Sequence, residues 1–391
     1  MQGLKSELQA ELLENILPYW INKMQDHENG GFYGRIDGQE NLHKLSNKGI
    51  VLNARILWTF SAAYRIYKNP EYLLMAERAY KYIQDKFFDK KHGGVYWQVN
   101  YKGEPVNTRK QIYAQGFTLY GYSEFYRATG KPEALDIAKN LFCLIEKYAY
   151  DKENGGYIEA LSEDWKPIED MKLSTRDANM PKSMNTHLHI LEPYTNLLRI
   201  WKDKSLLKAQ ERLIRNFNDH IVNPDTKHLN LFFDMNWIVT HNIISYGHDI
   251  EAAWLLVEAS EIVGNPKLTE KIKKLSLEVI EASYEGKQPD GSMIYEKTPD
   301  HLDADRHWWV QAETVVGSMY AYQISGDNKY LEAAKKCWDY IKNHIIDKKD
   351  GEWVWSTYPD GKQNNTDDKA GFWKCPYHNA RMCIEIKELK I

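Results

Sequence analysis

Asn69-Pro70-Glu71-Tyr72-Leu73-Leu74-Met75-Ala76 begins a stretch running to Phe87 in which Tyr72, Met75, Ala76, Ala79, Ile83 and Phe87 fall on one face and charged residues on the other. Apolar residues spaced three and four apart predict an amphipathic helix lying on a surface. Its opening is equally informative: proline fits the first helical position, where its missing N–H is not needed, and Asn or Asp ahead of it caps exposed donors. The same kind of junction returns at Lys131-Pro132-Glu133, Asp203-Lys204-Ser205, Asn265-Pro266-Lys267 and Asp327-Asn328-Lys329, at intervals of 62, 72, 62 and 62 residues.

Ahead of each junction lies a different kind of segment. Ile50 to Tyr67 and Tyr113 to Arg127 are apolar or aromatic on nearly every side, which predicts helices buried inside. A second signal repeats at the far end of each pair: Asn29-Gly30-Gly31-Phe32-Tyr33, His92-Gly93-Gly94-Val95-Tyr96, Asn154-Gly155-Gly156-Tyr157, Asp290-Gly291 and Asp350-Gly351. These are turns flanked by short β-prone runs. A period of about 62 residues sustained along the chain means one supersecondary unit repeated, roughly six times in 391 residues.

The expected fold is all-α, an (α/α)6 barrel of six inner and six outer helices with short β-hairpin loops at one end. It forms a single domain over 1–391, although length alone would suggest two or three. An open solenoid is the competing arrangement. Closure is preferred because polar residues recur on the aromatic inner helices, as around a wet pocket, and an open array would need polar caps at both ends.

Composition narrows the function. Hydrophobic residues make up 43% and the net charge is −4 with both signs mixed, so no basic stripe is present for nucleic acid. Cys143, Cys337, Cys375 and Cys383 form no CxxC pair and read as structural thiols in a reducing compartment. Lys5, Glu7, Glu11 and Glu14 stand where a signal peptide needs an apolar core, and no apolar run reaches membrane length. The expectation is a cytoplasmic protein without a membrane segment, and a monomer, since the outer helices carry no surplus apolar stripe.

Ionisable residues of the inner helices concentrate at their N-terminal ends: Arg55, Asn185 to His189, His248 to Glu251, Trp308-Trp309 with Glu313, and Trp373 to His378. In a closed barrel these ends gather at one mouth. His248 and Glu251, three apart, share a helix face, where a carboxylate can orient an imidazole and raise its basicity. His189 and Asn185 are four apart on another helix, and His378 follows the loop carrying Trp373. His187 faces elsewhere on its helix and reads as structural or as a support behind the site, while His27, His92, His220, His228 and His344, in turns and outer segments, read as structural. Trp308, Trp309 and Trp373 suit the C–H faces of sugars, while Trp58, Trp254 and Trp338 read as core. A metal site made of three histidines and a glutamate competes with the acid–base reading, but HExxH is absent and no second ExxH completes a di-iron set. No GxSxG turn supports a serine hydrolase. A glycoside hydrolase using Glu251 and Glu313 as its carboxylate pair is a further alternative, as is a non-catalytic sugar binder.

At Leu52-Asn53-Ala54-Arg55, Tyr113-Ala114-Gln115-Gly116-Phe117, Met184 to His189, Ser245 to Glu251, Trp308-Trp309-Val310-Gln311-Ala312-Glu313 and Trp373-Lys374-Cys375-Pro376-Tyr377-His378-Asn379, the chain resembles the cellobiose 2-epimerases of the N-acylglucosamine 2-epimerase superfamily. The motifs span nearly the whole chain in family order. The resemblance implies the (α/α)6 barrel and a cofactor-free reaction on a disaccharide: ring opening, removal of the C2 proton to give a cis-enediolate, rotation, and reprotonation on the other face. It makes His248 and His378 the two acid/base groups, with Glu251 supporting His248, His189 acting in ring opening and Arg55 stabilising the enediolate. Tyr113, Asp177, Asn185 and Glu313 would bind hydroxyls, and Trp309 and Trp373 would stack on the two sugar rings. Gln311 is a departure from the family pattern with little consequence. Aldose isomerases and monosaccharide 2-epimerases would share these histidines and stay open as sister activities.

Overall fold

The computed structural model describes residues 2–390, and it shows six helix pairs closed into a ring. The outer helices are α1 (2–23), α3 (Pro70–Lys86), α5 (Pro132–Tyr148), α7 (Lys204–Asn216), α9 (Pro266–Ser283) and α11 (Asn328–Tyr340). The inner helices are α2 (Ile50–Tyr67), α4 (Ile112–Thr129), α6 (Met184–Ile200), α8 (Tyr246–Val263), α10 (Trp308–Ser325) and α12 (His378–Glu388). Every junction motif opens an outer helix. The side chains of Asn69, Asp203, Asn265 and Asp327 each accept from a backbone N–H of the first turn; Lys131 cannot and does not. The inner helices are buried over most of their length, as their aromatic content predicts. Three of them end on a glycine in the left-handed conformation, at Gly130, Gly264 and Gly326, which stops the helix and turns the chain outward.

Neighbouring inner helices pack in order around the ring, and α12 completes it against α2 and α1. The closure is stitched by Lys5 Nζ donating to the Leu389 carbonyl at 2.8 Å and by an antiparallel bridge between Ile36 and Ala370. Among the described residues, no helix is long and apolar enough to cross a membrane.

A crown of short strands surrounds one end. Five inner helices are entered from a two-residue strand that pairs antiparallel with the next unit, as in Lys48 with Val99, Lys110 with Leu161 and Lys182 with Phe233. Beneath them six tight turns recur, one per unit, closed by bridges such as Gln25 to Phe32 and Phe88 to Val95. The fourth, between Val222 and Leu229, has no glycine; Lys227 takes φ 66°. Buried ion pairs pin several turns to the start of the next inner helix: Lys48 with Asp26 at 2.7 Å, Lys110 with Asp89 at 2.8 Å and Lys182 with Asp151 at 2.8 Å. The ten residues that lengthen the second repeat interval lie in the long connection before α6, part of which arches over the barrel mouth.

Candidate active site

The N-terminal ends of the inner helices open on a cavity of about 310 Å³. Arg55, Tyr113, Asp177, Asn185, His189, His248, Glu251, Trp308, Trp309, Trp373 and His378 all line it. Eleven of the twelve expected residues therefore converge. Glu313 is the exception: it is fully buried behind the wall, where it holds His378 rather than facing a ligand.

The site is built in two layers one helical turn apart. The upper layer holds the histidines, and residues three positions later on the same helices, together with Glu313, make a lower ionic layer. His378 Nδ1 bonds Glu313 Oε1 at 2.7 Å. His189 Nδ1 bonds Glu192 Oε2 at 3.1 Å, and its ring lies against Tyr113 and Phe117. His248 Nδ1 meets Ser245 Oγ at 2.8 Å. The expected partnership of Glu251 with His248 is not formed, because a side chain one turn deeper reaches sideways into the lower layer. Glu251 Oε1 bonds Arg381 Nη2 at 2.5 Å and comes within 3.8 Å of His378 Nδ1. Arg381 is the centre of that layer, reaching Glu313 Oε1 at 2.6 Å, the Tyr377 hydroxyl at 2.6 Å, and Glu192.

His189 stands at a kink, with φ −91° and ψ 16°. Pro193 four residues on has no N–H to return to the His189 carbonyl, so the helix bends there. Gly116 of α4 fills the space: a Cβ there would lie 2.3 Å from the His189 carbonyl oxygen.

Electrostatics poise these groups. Burial lowers His189 to about 4 and His248 to about 3, and drives His378 well below the ordinary imidazole value, helped by the Arg55 and Arg381 charges. All three are neutral near pH 7 and available as bases. Arg55 is 3% exposed and has no carboxylate partner among the described residues; Nη2 donates to the Tyr113 hydroxyl at 2.7 Å, and the guanidinium faces the rings of Phe117 and Tyr377 at 4.2 and 4.6 Å. A buried cation lacking its own counter-ion is a receptor for negative charge that develops on a ligand.

Aromatic rings form the walls. Trp309 lies 4.7 Å from the His248 ring and 5.5 Å from that of His378, so one indole flanks both bases. Trp308 packs on Trp355 at 4.6 Å, and half-buried Trp373 leans toward Tyr113 at 6.0 Å. The Asp177 carboxylate, in the arching connection, accepts from the Ser174 hydroxyl at 2.5 Å.

Glu251, Glu313 and His378 bring their ligand atoms within 4.8 Å of one another, close enough for a metal ion. Arg381 Nη2 sits between the two carboxylates, however, and a cation would be repelled by it. The same convergence removes Glu251 and Glu313 as a hydrolytic pair, since both grip one nitrogen instead of flanking a bond. Asp303, Asp305 and His307 form a second such group among the described residues.

The N-acylglucosamine 2-epimerase family model matches residues 31–381 of the chain. A curated cellobiose 2-epimerase from Bacteroides fragilis is 55% identical over 385 residues, covering 98% of each chain. The chain belongs to the N-acylglucosamine 2-epimerase family. Within it, another cellobiose 2-epimerase, from Dictyoglomus turgidum, is 40% identical with 99% of this chain and 98% of that one covered. The solved cellobiose 2-epimerase of Bacillus thermoamylovorans superposes with a TM-score of 0.96 at 41% identity, covering 99% of this chain and all of that one. A D-mannose isomerase structure at 19% identity and TM-score 0.87 shares the fold.

Several residues escaped the sequence reading of this epimerase-family site. Tyr295, His307, Trp355 and Asp367 line the cavity from the crown and its loops, as do Leu173 to Arg176 from the arching connection. Loop residues carry no helical period to mark them. Glu192 and Arg381 did leave a signal: each is a lone charge in an apolar run, three residues after a histidine.

Proposed function

We propose that the chain is a cellobiose 2-epimerase, interconverting C2 epimers at the reducing-end glucose of β-1,4-linked disaccharides: cellobiose with 4-O-glucosylmannose, and lactose with epilactose. The observation that carries this reading is the set of three neutral histidines with engaged Nδ1 atoms, grouped around an unpaired buried guanidinium.

His189 moves the proton that opens the sugar ring at the O1 side. One of His248 and His378 then takes the C2 proton on its Nε2, and the electron pair becomes a cis-enediolate whose negative oxygen pairs with Arg55. Rotation about C2–C3 presents the other face, and the partner histidine, protonated from water as the first releases its proton to water, delivers a proton to C2 there and returns to its neutral form. Glu313 steadies the imidazolium when His378 is charged, and Glu251 acts from the same ionic layer. Tyr113, Asp177 and Asn185 bind hydroxyls, and Trp309 and Trp373 stack on the two rings, with Trp308 backing the wall. No metal or cofactor enters any step. The whole chain, 1–391, works as one catalytic domain.

We also propose a monomeric, cytoplasmic enzyme. The large apolar side chains that are exposed occur singly or in pairs at separate points of the chain, Leu42 with Leu45, Leu74, Val106, Ile238 with Val239, and Leu302, and four unpaired cysteines fit a reducing compartment.

The test is proton NMR of cellobiose in D2O with EDTA-treated protein, comparing the wild type with His378→Ala and His248→Ala. A mannose-type reducing end with deuterium at C2, lost in both variants, is expected. Free glucose would establish a hydrolase, a ketose as main product an isomerase, and dependence on added metal would end the histidine mechanism.

A further inference from the structure

We infer that Arg381 is a positioning residue for proton transfer: one buried guanidinium fixes the tautomers of two imidazoles, His189 through Glu192 and His378 through Glu313. The inference rests on the epimerase reading for its kinetic part and on geometry alone for the tautomers.

Arg381 is fully buried on α12, one turn below His378. Its Nη1 donates to Glu192 Oε1 and to the Tyr377 hydroxyl, and its Nη2 to Oε1 of both Glu251 and Glu313. Glu192 turns its other oxygen to His189 Nδ1, while Glu313 shares the same Oε1 between the guanidinium and His378 Nδ1. Three buried carboxylates thus face one guanidinium, and two of them carry a histidine on the far side.

A carboxylate that stays ionised can only accept, so the imidazole beside it must donate Nδ1–H and leave a lone pair on Nε2 for the substrate. Burial opposes this, because it favours the protonated carboxyl. Against burial, the Arg381 charge and the His189 contact hold Glu192 at about 2. Burial raises Glu313, with the Arg381 charge and hydrogen bond opposing the rise, and burial with the neighbouring Glu313 charge pushes Glu251 up to about 8 although Arg381 bonds it too. Deprived of the guanidinium, Glu192 and Glu313 would keep their own protons, donate O–H to Nδ1 and turn an N–H of each histidine toward the sugar. A base presenting N–H cannot accept the C2 proton. Lysine cannot substitute, since a single nitrogen cannot span carboxylates that the fork engages through two.

The experiment uses the full chain labelled with 15N-histidine and long-range 1H–15N correlation spectra. His189 and His378 are expected as Nδ1–H tautomers in the wild type. In Arg381→Lys, both should move toward Nε2–H, kcat on cellobiose should fall roughly a hundredfold or more, the scale of lost acid–base catalysis, and KM should stay within about threefold, as a group touching no substrate leaves binding intact. An Nε2–H tautomer at either histidine in the wild type overturns the inference, whether or not the variant folds. A folded Arg381→Lys that keeps both tautomers and full kcat overturns it equally, as a purely structural arginine would lower thermal stability alone. If cellobiose is not a substrate, the kinetic arm fails for the wild type too, while the tautomer result stands.

Discussion

Glu313→Gln isolates the electrostatic share of the mechanism with little change of shape. The wild-type carboxylate receives three donors on two oxygens: His378 Nδ1 at 2.7 Å and Arg381 Nη2 at 2.6 Å on Oε1, and Trp254 Nε1 at 2.9 Å on Oε2. An amide has one oxygen, and its NH2 is itself a donor, so at least one buried donor loses its acceptor. That costs stability about 1–3 kcal/mol. The larger effect falls on the charged state of His378. An imidazolium about 4 Å from a carboxylate charge gains about 4 kcal/mol at an effective dielectric of about 20, and losing that from the transition state slows the reaction roughly a thousandfold. Initial rates of 4-O-glucosylmannose formation from cellobiose, measured at saturating substrate, read this directly. A folded Glu313→Gln with kcat within about tenfold of the wild type would refute the claim that His378 becomes charged beside Glu313.

Four further outcomes are expected. The acid limb of kcat should stay flat through pH 6.5 and fall only toward pH 4, because a base whose pKa is lowered, His189 to about 4 and His248 to about 3, keeps its neutral form to lower pH; a pH–rate profile with an inflection at 6.5 would contradict this. Gly116→Ala, whose Cβ would meet the His189 carbonyl oxygen at 2.3 Å, should cost about 1–3 kcal/mol in thermal unfolding and lower kcat with it. Lys110→Met, which strands the buried Asp89 carboxylate, should destabilise by about 3–5 kcal/mol, whereas Lys44→Met, at the exposed pair with Glu28, should leave the melting curve unmoved. Trp373→Ala should raise KM for cellobiose about tenfold or more, the equivalent of about 1.4 kcal/mol of stacking, with a smaller change in kcat.

The barrel was legible because its repeat is written in local chemistry. Asn69, Asp203, Asn265 and Asp327 cap helices with their own side chains, and those signals need no knowledge of distant partners. The turn at Val222 to Leu229 was not legible, since Lys227 takes the left-handed conformation usually left to glycine. In the site, residues at helix starts were readable from closure alone, and all but Glu313 of those expected reach the cavity. Who bonds whom was not. His248 and Glu251 share a helix face, yet Glu251 is drawn to Arg381 on α12 and Ser245 takes its place on His248. Sequence spacing reports neighbours along one helix; a charge from across the ring outbids them whenever the layer is dry. The other residues of the arching connection, Leu173 to Arg176, obey no period, and only the longer second interval hinted that something had been inserted there, while Asp177 was expected through the family resemblance alone.

The ring is joined by non-covalent contacts of α12 with α1 and α2, by Lys5 with the Leu389 carbonyl and by the Ile36–Ala370 bridge. His378 and Arg381 ride on that closing helix, while their partners Glu192, Glu251 and Glu313 wait on α6, α8 and α10. A partly assembled barrel, however helical, therefore holds carboxylates without their guanidinium and one base without its opposite. Turnover then serves as an all-or-none gauge of assembly: during refolding, activity should lag behind helix formation and appear with the last seam, so the catalyst audits its own architecture.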